Sequence, residues 1–193
     1  MRRLSRKTIT LDAVLILLVI SSCMAQKNTG IDRTLGESAR REVDQTRMKS
    51  EQYVIQGNYR SALDVYAEAC RKYPENQALF KNYDKTIEDI HRAANEAFSR
   101  EDFVSSGRAY YVLQKNKSYC QEIVRKPPLD KGFLHGRLED CSSHLSQRAL
   151  AEYRKGNLAE AISLWKSILA FDPTNASIMK AIDTATIQQK NLR

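Results

Sequence analysis

Apolar residues in this chain recur every three or four positions over long stretches, which is the period of an α-helix with one buried face. The longest such stretch spans residues 78–100 and contains neither proline nor glycine. Its apolar positions are Leu79, Tyr83, Ile87, Ile90, Ala94, Ala97 and Phe98. We therefore predict a long amphipathic helix in this region.

The start of the chain follows a different pattern, in which residues 1–7 are rich in basic side chains and residues 13–20 are all apolar. A basic start, a short apolar run and small residues after it are the features of a secretory signal peptide. The apolar run is far shorter than the roughly 20 residues that a helix needs to span a bilayer. These features predict an exported protein.

The end of this segment, Ile20-Ser21-Ser22-Cys23, resembles the lipobox of bacterial lipoproteins. The resemblance implies that residues 1–22 are a signal peptide and that Cys23 becomes the first mature residue. Its sulfur would then carry diacylglycerol and its amine a further acyl chain. Two or more acyl chains hold a protein firmly at a membrane, whereas one chain does not. The alternative is an ordinary secretory signal that is cut elsewhere, with Cys23 lost.

The same resemblance implies a location in the cell envelope. In lipoproteins of this kind an aspartate after the lipidated cysteine favours retention in the inner membrane, and here Met24 occupies that position. We therefore expect an outer-membrane lipoprotein that faces the periplasm of a two-membrane bacterium.

Composition predicts an all-α protein, because the 193 residues include only four prolines and seven glycines and helix formers are abundant. Without residues 1–22 the formal charge falls from +8 to 27 − 22 = +5. A modest positive excess suits an acidic protein partner, anionic headgroups or a cell-wall polymer. Nucleic acid is disfavoured because an exported protein does not normally meet it, and we expect no small-molecule substrate.

The mature chain divides by composition into a tether and a domain. Residues 23–41 are polar, with Gly30 and Gly36 and few large apolar side chains, which is typical of a flexible tether between a lipid and a domain. Residues 42–193 are then expected to form one helical domain.

An internal repeat organises this domain. The first copy has Gly57, Ala62, Tyr66 and Pro74, and the last has Gly156, Ala161, Trp165 and Pro173 at the same spacings. Glycine ends a helix where a left-handed backbone is needed, alanine permits close helix approach, and proline stops the next helix. Each copy is therefore predicted to be a pair of helices joined by a tight turn.

This pattern resembles the tetratricopeptide repeat, a helix–turn–helix unit of about 34 residues. The resemblance implies helical hairpins stacked as a short right-handed solenoid, with a capping helix from about residue 175 to 189. Clear copies lie near 43–76 and 137–175, and a degenerate copy near 79–118 has Glu101, Ser106 and Ser118 in place of the glycine, alanine and proline. The tryptophan and the leucine-glycine pair of the family's first helix are missing.

In the tetratricopeptide family, the first helices of the hairpins line a concave groove that accepts a peptide or a helix. Carried onto this chain, the resemblance places nine residues in such a groove. They are Arg47, Glu51, Val54, His91, Asn95, Phe98, Leu150, Tyr153 and Arg154.

Three cysteines remain in the domain, and an odd number leaves at least one thiol without an intramolecular partner. Cys120 and Cys141 lie on either side of the Pro127-Pro128 segment and are candidates for a disulfide. The alternative is two separately buried thiols. Cys70 is interpreted as a small buried residue in the second helix of the first copy.

No catalytic or metal-binding motif is present in the sequence. His135, Cys141 and His144, together with Cys120, are residue types that bind zinc, but their spacing is irregular and no Cys-x-x-Cys accompanies them. Nucleophile motifs, phosphate-binding loops and His-Glu-x-x-His are absent from the sequence. We therefore expect a non-enzymatic protein without a metal or cofactor.

These patterns favour a lipid-anchored adaptor or scaffold that mediates protein–protein contacts in an envelope assembly. A narrower interpretation is a pilotin, or an accessory subunit, for a secretin or an outer-membrane assembly machine. An interpretation from another class is an enzyme that acts on peptidoglycan, or its regulator.

Overall fold

The computed structural model describes residues 36–116 and 129–192, and these residues form seven α-helices and no strand. The helices are α1 (36–55), α2 (Tyr59–Lys72), α3 (Gln77–Ser99), α4 (Phe103–Lys115), α5 (Lys131–Arg154), α6 (Leu158–Leu169) and α7 (Ala176–Asn191). The all-α prediction is confirmed. Over the described ranges, every helix is too short or too polar to cross a bilayer.

The chain divides into two compact units, Met1–Asp44 and Gln45–Arg193. In the first unit, residues 36–44 are helical, so the tether predicted for residues 23–41 is wrong from residue 36 onward. The reason is local, because the segment consists largely of helix-forming residues and pairs Glu37 with Arg41 one turn later, at 4.0 Å. The predicted signal peptide, the lipobox and residues 23–35 lie outside the described residues.

In the second unit, each helix from α2 to α7 packs against the next one along the chain. Helix α4 also contacts α2 and α6, so it occupies a central position among the helices. Packed neighbouring helices agree with a helical repeat. Pairs α1–α2, α3–α4 and α5–α6 are called hairpins 1, 2 and 3 below.

The three hairpins share one type of turn. In hairpin 1 the N–H of Gly57 donates to the carbonyl of Val54 (3.0 Å), and the N–H of Asn58 donates to that of Tyr53 (2.9 Å). This hydrogen-bond pair is the Schellman motif, which needs a left-handed residue after the helix. Hairpins 2 and 3 repeat both bonds. The left-handed residues are Gly57 (φ 71°), Glu101 (φ 59°) and Gly156 (φ 83°).

The two helices of each hairpin approach closely at a pair of small residues that lie 12 positions apart. In hairpin 1 the hydroxyl of Ser50 donates to the carbonyl of Ala62 (2.8 Å). In hairpin 2 the pair is reversed, since Ser106 of α4 donates to the carbonyl of Ala94 of α3 (3.0 Å). Hairpin 3 has Ala149 and Ala161, both fully buried. The degenerate hairpin therefore keeps the close approach with its serine on the other helix.

A buried polar cluster joins hairpin 1 to hairpin 2. The hydroxyl of Thr86 on α3 lies 3.1 Å from that of Ser50 and 3.2 Å from that of Tyr66. Between hairpins 2 and 3, Cys141 of α5 takes the same place, with the Ser106 hydroxyl as its hydrogen-bond partner. Burial raises the pKa of the Cys141 thiol, so the neutral form is favoured there.

The cysteines differ in part from the predictions. Cys141 is a free, fully buried thiol, so the candidate disulfide between Cys120 and Cys141 is wrong. Cys70 is buried in α2, as the sequence predicts, but it is also disulfide-bonded. Its partner, like Cys120, lies outside the described residues. Sequence distance alone could not distinguish these pairings, because the packing of α4 against α5 buries Cys141 beside Ser106.

The chain from α6 to α7 is fixed on α4 by an aromatic side chain. Phe171 is 3 % exposed, and its ring lies directly over Gly107 of α4. Asn175 then caps α7, because its side chain accepts a hydrogen bond from the N–H of Ile178 (3.0 Å).

Candidate partner-binding surface

The nine residues predicted to line a groove lie in three sets, one on each of helices α1, α3 and α5. On α1, Arg47 donates to Glu51 at 3.0 Å, and both side chains are 40 % exposed. Val54 is half-buried one turn further on. The two charges on α1 are therefore paired with each other.

The set on α3 is part of a hydrogen-bonded contact between helices. The hydroxyl of Tyr110 on α4 donates to Oδ1 of Asn95 (2.5 Å), which leaves the amide nitrogen of Asn95 directed at Nε2 of His91 (3.2 Å). Burial lowers the pKa of His91, and the nearby charge of Arg137 lowers it further. His91 is therefore neutral at neutral pH and can accept the amide proton at Nε2.

An arginine of α5 lies between two aromatic rings beside this network. Cζ of Arg137 lies 4.5 Å from the ring centroid of Phe98 on α3 and 5.4 Å from that of Phe133 on α5. The Phe133 ring in turn meets the His91 ring edge-on at 5.7 Å. These distances fit cation–π and edge-to-face contacts.

A second arginine of α5 makes a similar contact with an aromatic ring, nearer the C-terminal end of the helix. The ring of His144 stacks on Phe103 of α4, with centroids 4.3 Å apart and planes 1° from parallel. Cζ of Arg148 lies 5.1 Å from the Phe103 centroid, and its Nη2 lies 2.6 Å from the carboxylate of Glu101. Glu101 thus holds Arg148 from the turn of hairpin 2.

These side chains form a continuous band across α3, α4 and α5, which we call the cation–aromatic strip. Its members are His91, Phe98, Phe103, Phe133, Arg137, His144 and Arg148. Phe103 is buried, whereas Phe133 is 39 % exposed. The side chains of Arg137 and Arg148 are 34 % and 47 % exposed.

The chemistry of the strip suits protein recognition. A guanidinium that stacks by its face keeps the N–H groups at its edge available for a carboxylate or a backbone carbonyl. Aromatic and arginine side chains that are partly desolvated dominate the energetics of many protein interfaces. Arg148 already donates to the carbonyl and the carboxylate of Glu101, and Arg137 lies 3.9 Å from Asp140. The exposed part of the strip therefore offers apolar area and the N–H groups that these pairs leave free.

The third predicted set lies at the C-terminal end of α5. Leu150 is 41 % exposed and Arg154 is also exposed, while Tyr153 is half-buried with its ring 5.8 Å from that of Trp165. Leu150 therefore adds an apolar side chain to the exposed surface.

Five members of the strip were not predicted as binding residues, namely Phe103 on α4 and Phe133, Arg137, His144 and Arg148 on α5. Helix α5 begins at Lys131, six residues before the predicted copy, because Asp130 caps it by accepting from the N–H of Phe133 (3.1 Å). The four missed residues of α5 occur as two pairs at i, i+4 spacing, which places each pair on one helix face. This i, i+4 spacing was the feature of the sequence that could have identified them.

The zinc-ligand residue types do not converge. His135 pairs with Glu139 (3.3 Å), His144 stacks on Phe103, and Cys141 is buried beside Ser106. Within residues 36–116 and 129–192, no three His, Cys, Asp or Glu side chains are grouped to hold a metal ion.

Comparison with known proteins adds no family to this picture. Neither the models of known protein families nor the curated proteins include a match to this chain.

Proposed function

We propose that this protein is a lipid-anchored adaptor of the bacterial cell envelope that binds another protein through the cation–aromatic strip. The observation that supports binding most directly is the pair of half-exposed guanidinium groups of Arg137 and Arg148. Both are stacked on aromatic rings and held in place by neighbouring helices. Such preorganised arginines lose little side-chain entropy when a partner binds.

The proposed architecture is a tetratricopeptide-like solenoid of three hairpins, with α7 as the capping helix. Three features support it: the shared Schellman turn, the buried small residues 12 positions apart, and the polar clusters that join successive hairpins. In such a stack the first helices of adjacent hairpins lie side by side. The strip would then lie between the first helices of hairpins 2 and 3.

The proposed location rests on the sequence of residues 1–23. Acylation of Cys23 would place the mature domain at the periplasmic face of the outer membrane. Metabolic labelling with a fatty acid and mass spectrometry of the processed N-terminus test this part. Label that persists in a Cys23→Ala variant would refute it.

The proposed partner chemistry follows from the strip. A segment that carries a carboxylate and an apolar side chain would place the carboxylate on an arginine edge and the apolar group against Phe133. An acidic partner also agrees with the positive net charge of the domain.

In-cell photocrosslinking tests the function, with a photoreactive residue at position 133 and a matched probe at position 108. Arg108 is exposed on α4 and is not part of the strip. We expect a specific protein adduct from position 133 and none from position 108. Equal adducts from both positions, or none from either, would contradict the proposal.

A binding assay with the captured partner gives the energetic test. We expect the double variant Arg137→Gln/Arg148→Gln to lose at least tenfold in affinity, because removal of interface anchors often costs about 2 kcal/mol or more. Arg108→Gln should bind as the native protein does. Melting curves of both variants separate lost contacts from lost folding.

A further inference from the structure

A concave site lies on a different part of the surface from the cation–aromatic strip. It is a pocket of about 540 Å³ between the C-terminal half of α4, the N-terminal half of α5 and the corner from α6 to α7. Buried Leu138 and Phe171 contribute apolar surface, and half-buried Tyr111 contributes an aromatic ring. The volume is within the range of about 300–1,000 Å³ that is usual for small-ligand sites.

Helix α5 separates this pocket from the strip. An α-helix turns by about 100° per residue, so Ser142 in the pocket lies about 140° around α5 from Arg137 and about 180° from Phe133. The pocket and the strip therefore use different faces of the same helix. A ligand in the pocket would leave the two arginines accessible.

Most charged groups of the pocket are already paired within the protein. His135 lies 3.3 Å from Glu139, and Asp172 accepts a hydrogen bond from the Asn175 amide (2.8 Å). The Lys115 ammonium lies 5.8 Å from the Tyr111 ring centroid as a cation–π contact. These pairings disfavour a strongly charged ligand, since its binding would have to break them.

Ser143 and Asn175 in the pocket are hydrogen-bonded to Gln147 and Asp172, but four other neutral polar side chains are not. Tyr111, Gln114, Ser142 and Thr174 all line it. None of their side chains hydrogen-bonds to another residue in the described part of the chain. Three hydroxyls and one amide therefore remain as donors and acceptors around an apolar floor.

We propose that this pocket binds a saccharide unit. A pyranose ring has an apolar face of C–H groups, which suits Tyr111, Leu138 and Phe171. Its edge carries hydroxyls that both donate and accept, which suits Gln114, Ser142 and Thr174. An acetamido group on the sugar would add one more donor and acceptor.

Saccharide binding by the pocket does not depend on partner binding by the strip, but a cell-wall glycan as the source of the sugar rests on the proposed location. A protein at the periplasmic face would meet glycan strands of the cell wall. An adaptor with a glycan site on one face of α5 and a protein site on another could hold both at once.

Titration of the full mature protein with chitotriose, a neutral trimer of N-acetylglucosamine, tests the proposal. We expect saturable binding by calorimetry and saturation transfer to the sugar protons in NMR. Tyr111→Ala and Gln114→Ala should each weaken binding at least tenfold, whereas Tyr111→Phe should weaken it less because the ring remains. Gln188→Ala, at an exposed position of α7 outside the pocket, serves as the control and should bind normally.

Several results would overturn the saccharide site. The first is that the native protein binds neither chitotriose nor maltotriose saturably. The second is that Tyr111→Ala and Gln114→Ala bind chitotriose as tightly as the native protein does, while both variants keep the native melting temperature. Tighter binding of a neutral tripeptide than of either sugar would also overturn it. Retained chitotriose binding in Arg137→Gln/Arg148→Gln would confirm that the pocket acts independently of the strip.

Discussion

The backbone of Glu101 illustrates, at the scale of single residues, how the middle hairpin departs from its neighbours. Its φ of 59° is left-handed, where Gly57 and Gly156 stand in the other two turns. A residue with a Cβ is disfavoured in this conformation by about 1–2 kcal/mol. The side chain compensates in part, because it pairs with Arg148 of α5, although that pair is mostly exposed and such pairs contribute little.

We predict that Glu101→Gly raises the free energy of unfolding by about 0.5–1 kcal/mol, since relief of the left-handed strain outweighs the lost exposed ion pair. Gly156→Ala places a Cβ at φ 83° and should lower the free energy of unfolding by about 1 kcal/mol. Urea denaturation of both variants measures the two changes. A destabilised Glu101→Gly would mean that the contact with Arg148 matters more to hairpin 2 than the strain does.

At the scale of helices and turns, local sequence patterns were sufficient to predict the structure where one residue type determines the backbone geometry. Glycine at 57 and 156 marked two turns correctly, and the three-to-four-residue period marked α3. The third turn was harder to predict, because Glu101 adopts there the left-handed conformation that glycine adopts in the other two turns. The start of α5 was missed for a similar reason, since its cap at Asp130 lies outside the repeated pattern.

Contacts between elements were harder still to read from the sequence. The place of Cys141 in a buried cluster and the stacking of Arg137 between two rings depend on how α3, α4 and α5 pack together. No spacing within one helix encodes such packing. Of the nine predicted groove residues, His91 and Asn95 also take part in an interhelical network, because Tyr110 extends from α4 to contact them.

A glycine in α4 gives a test of packing at this scale. A Cβ at Gly107 would lie 2.6–2.9 Å from ring atoms of Phe171, so either the ring or the helix would have to move. We predict that Gly107→Ala lowers the free energy of unfolding by about 1–3 kcal/mol, which is the usual range for overpacking. Thermal or urea denaturation measures this change.

Gly136 provides the matched control, because it lies inside α5 and nothing is within 4 Å of a Cβ there. Gly136→Ala should raise the free energy of unfolding by about 0.5–1 kcal/mol through helix propensity alone. Stabilisation by Gly107→Ala of the same size would show that Phe171 does not pack against α4.

At the scale of the whole molecule, the proposed lipid and the disulfide of Cys70 constrain each other. The chain has four cysteines, of which Cys141 is free and Cys70 is bonded. A sulfur that carries diacylglycerol is a thioether and cannot form a disulfide. If Cys23 is acylated as proposed, Cys120 is the remaining cysteine that can pair with Cys70.

We therefore predict that proteolysis of the mature protein without reductant yields a peptide pair joined through Cys70 and Cys120. In the same sample, Cys141 should react with a maleimide only after denaturation, because it is fully buried. Cys70→Ser should leave the Cys120 thiol open to the maleimide, whereas Cys141→Ser should not. A mass that joins Cys70 to Cys23 would refute acylation of Cys23 and, with it, the proposed attachment to the membrane. The adaptor proposal for the helical domain would then stand on the cation–aromatic strip alone, since that surface is formed by helices α3, α4 and α5.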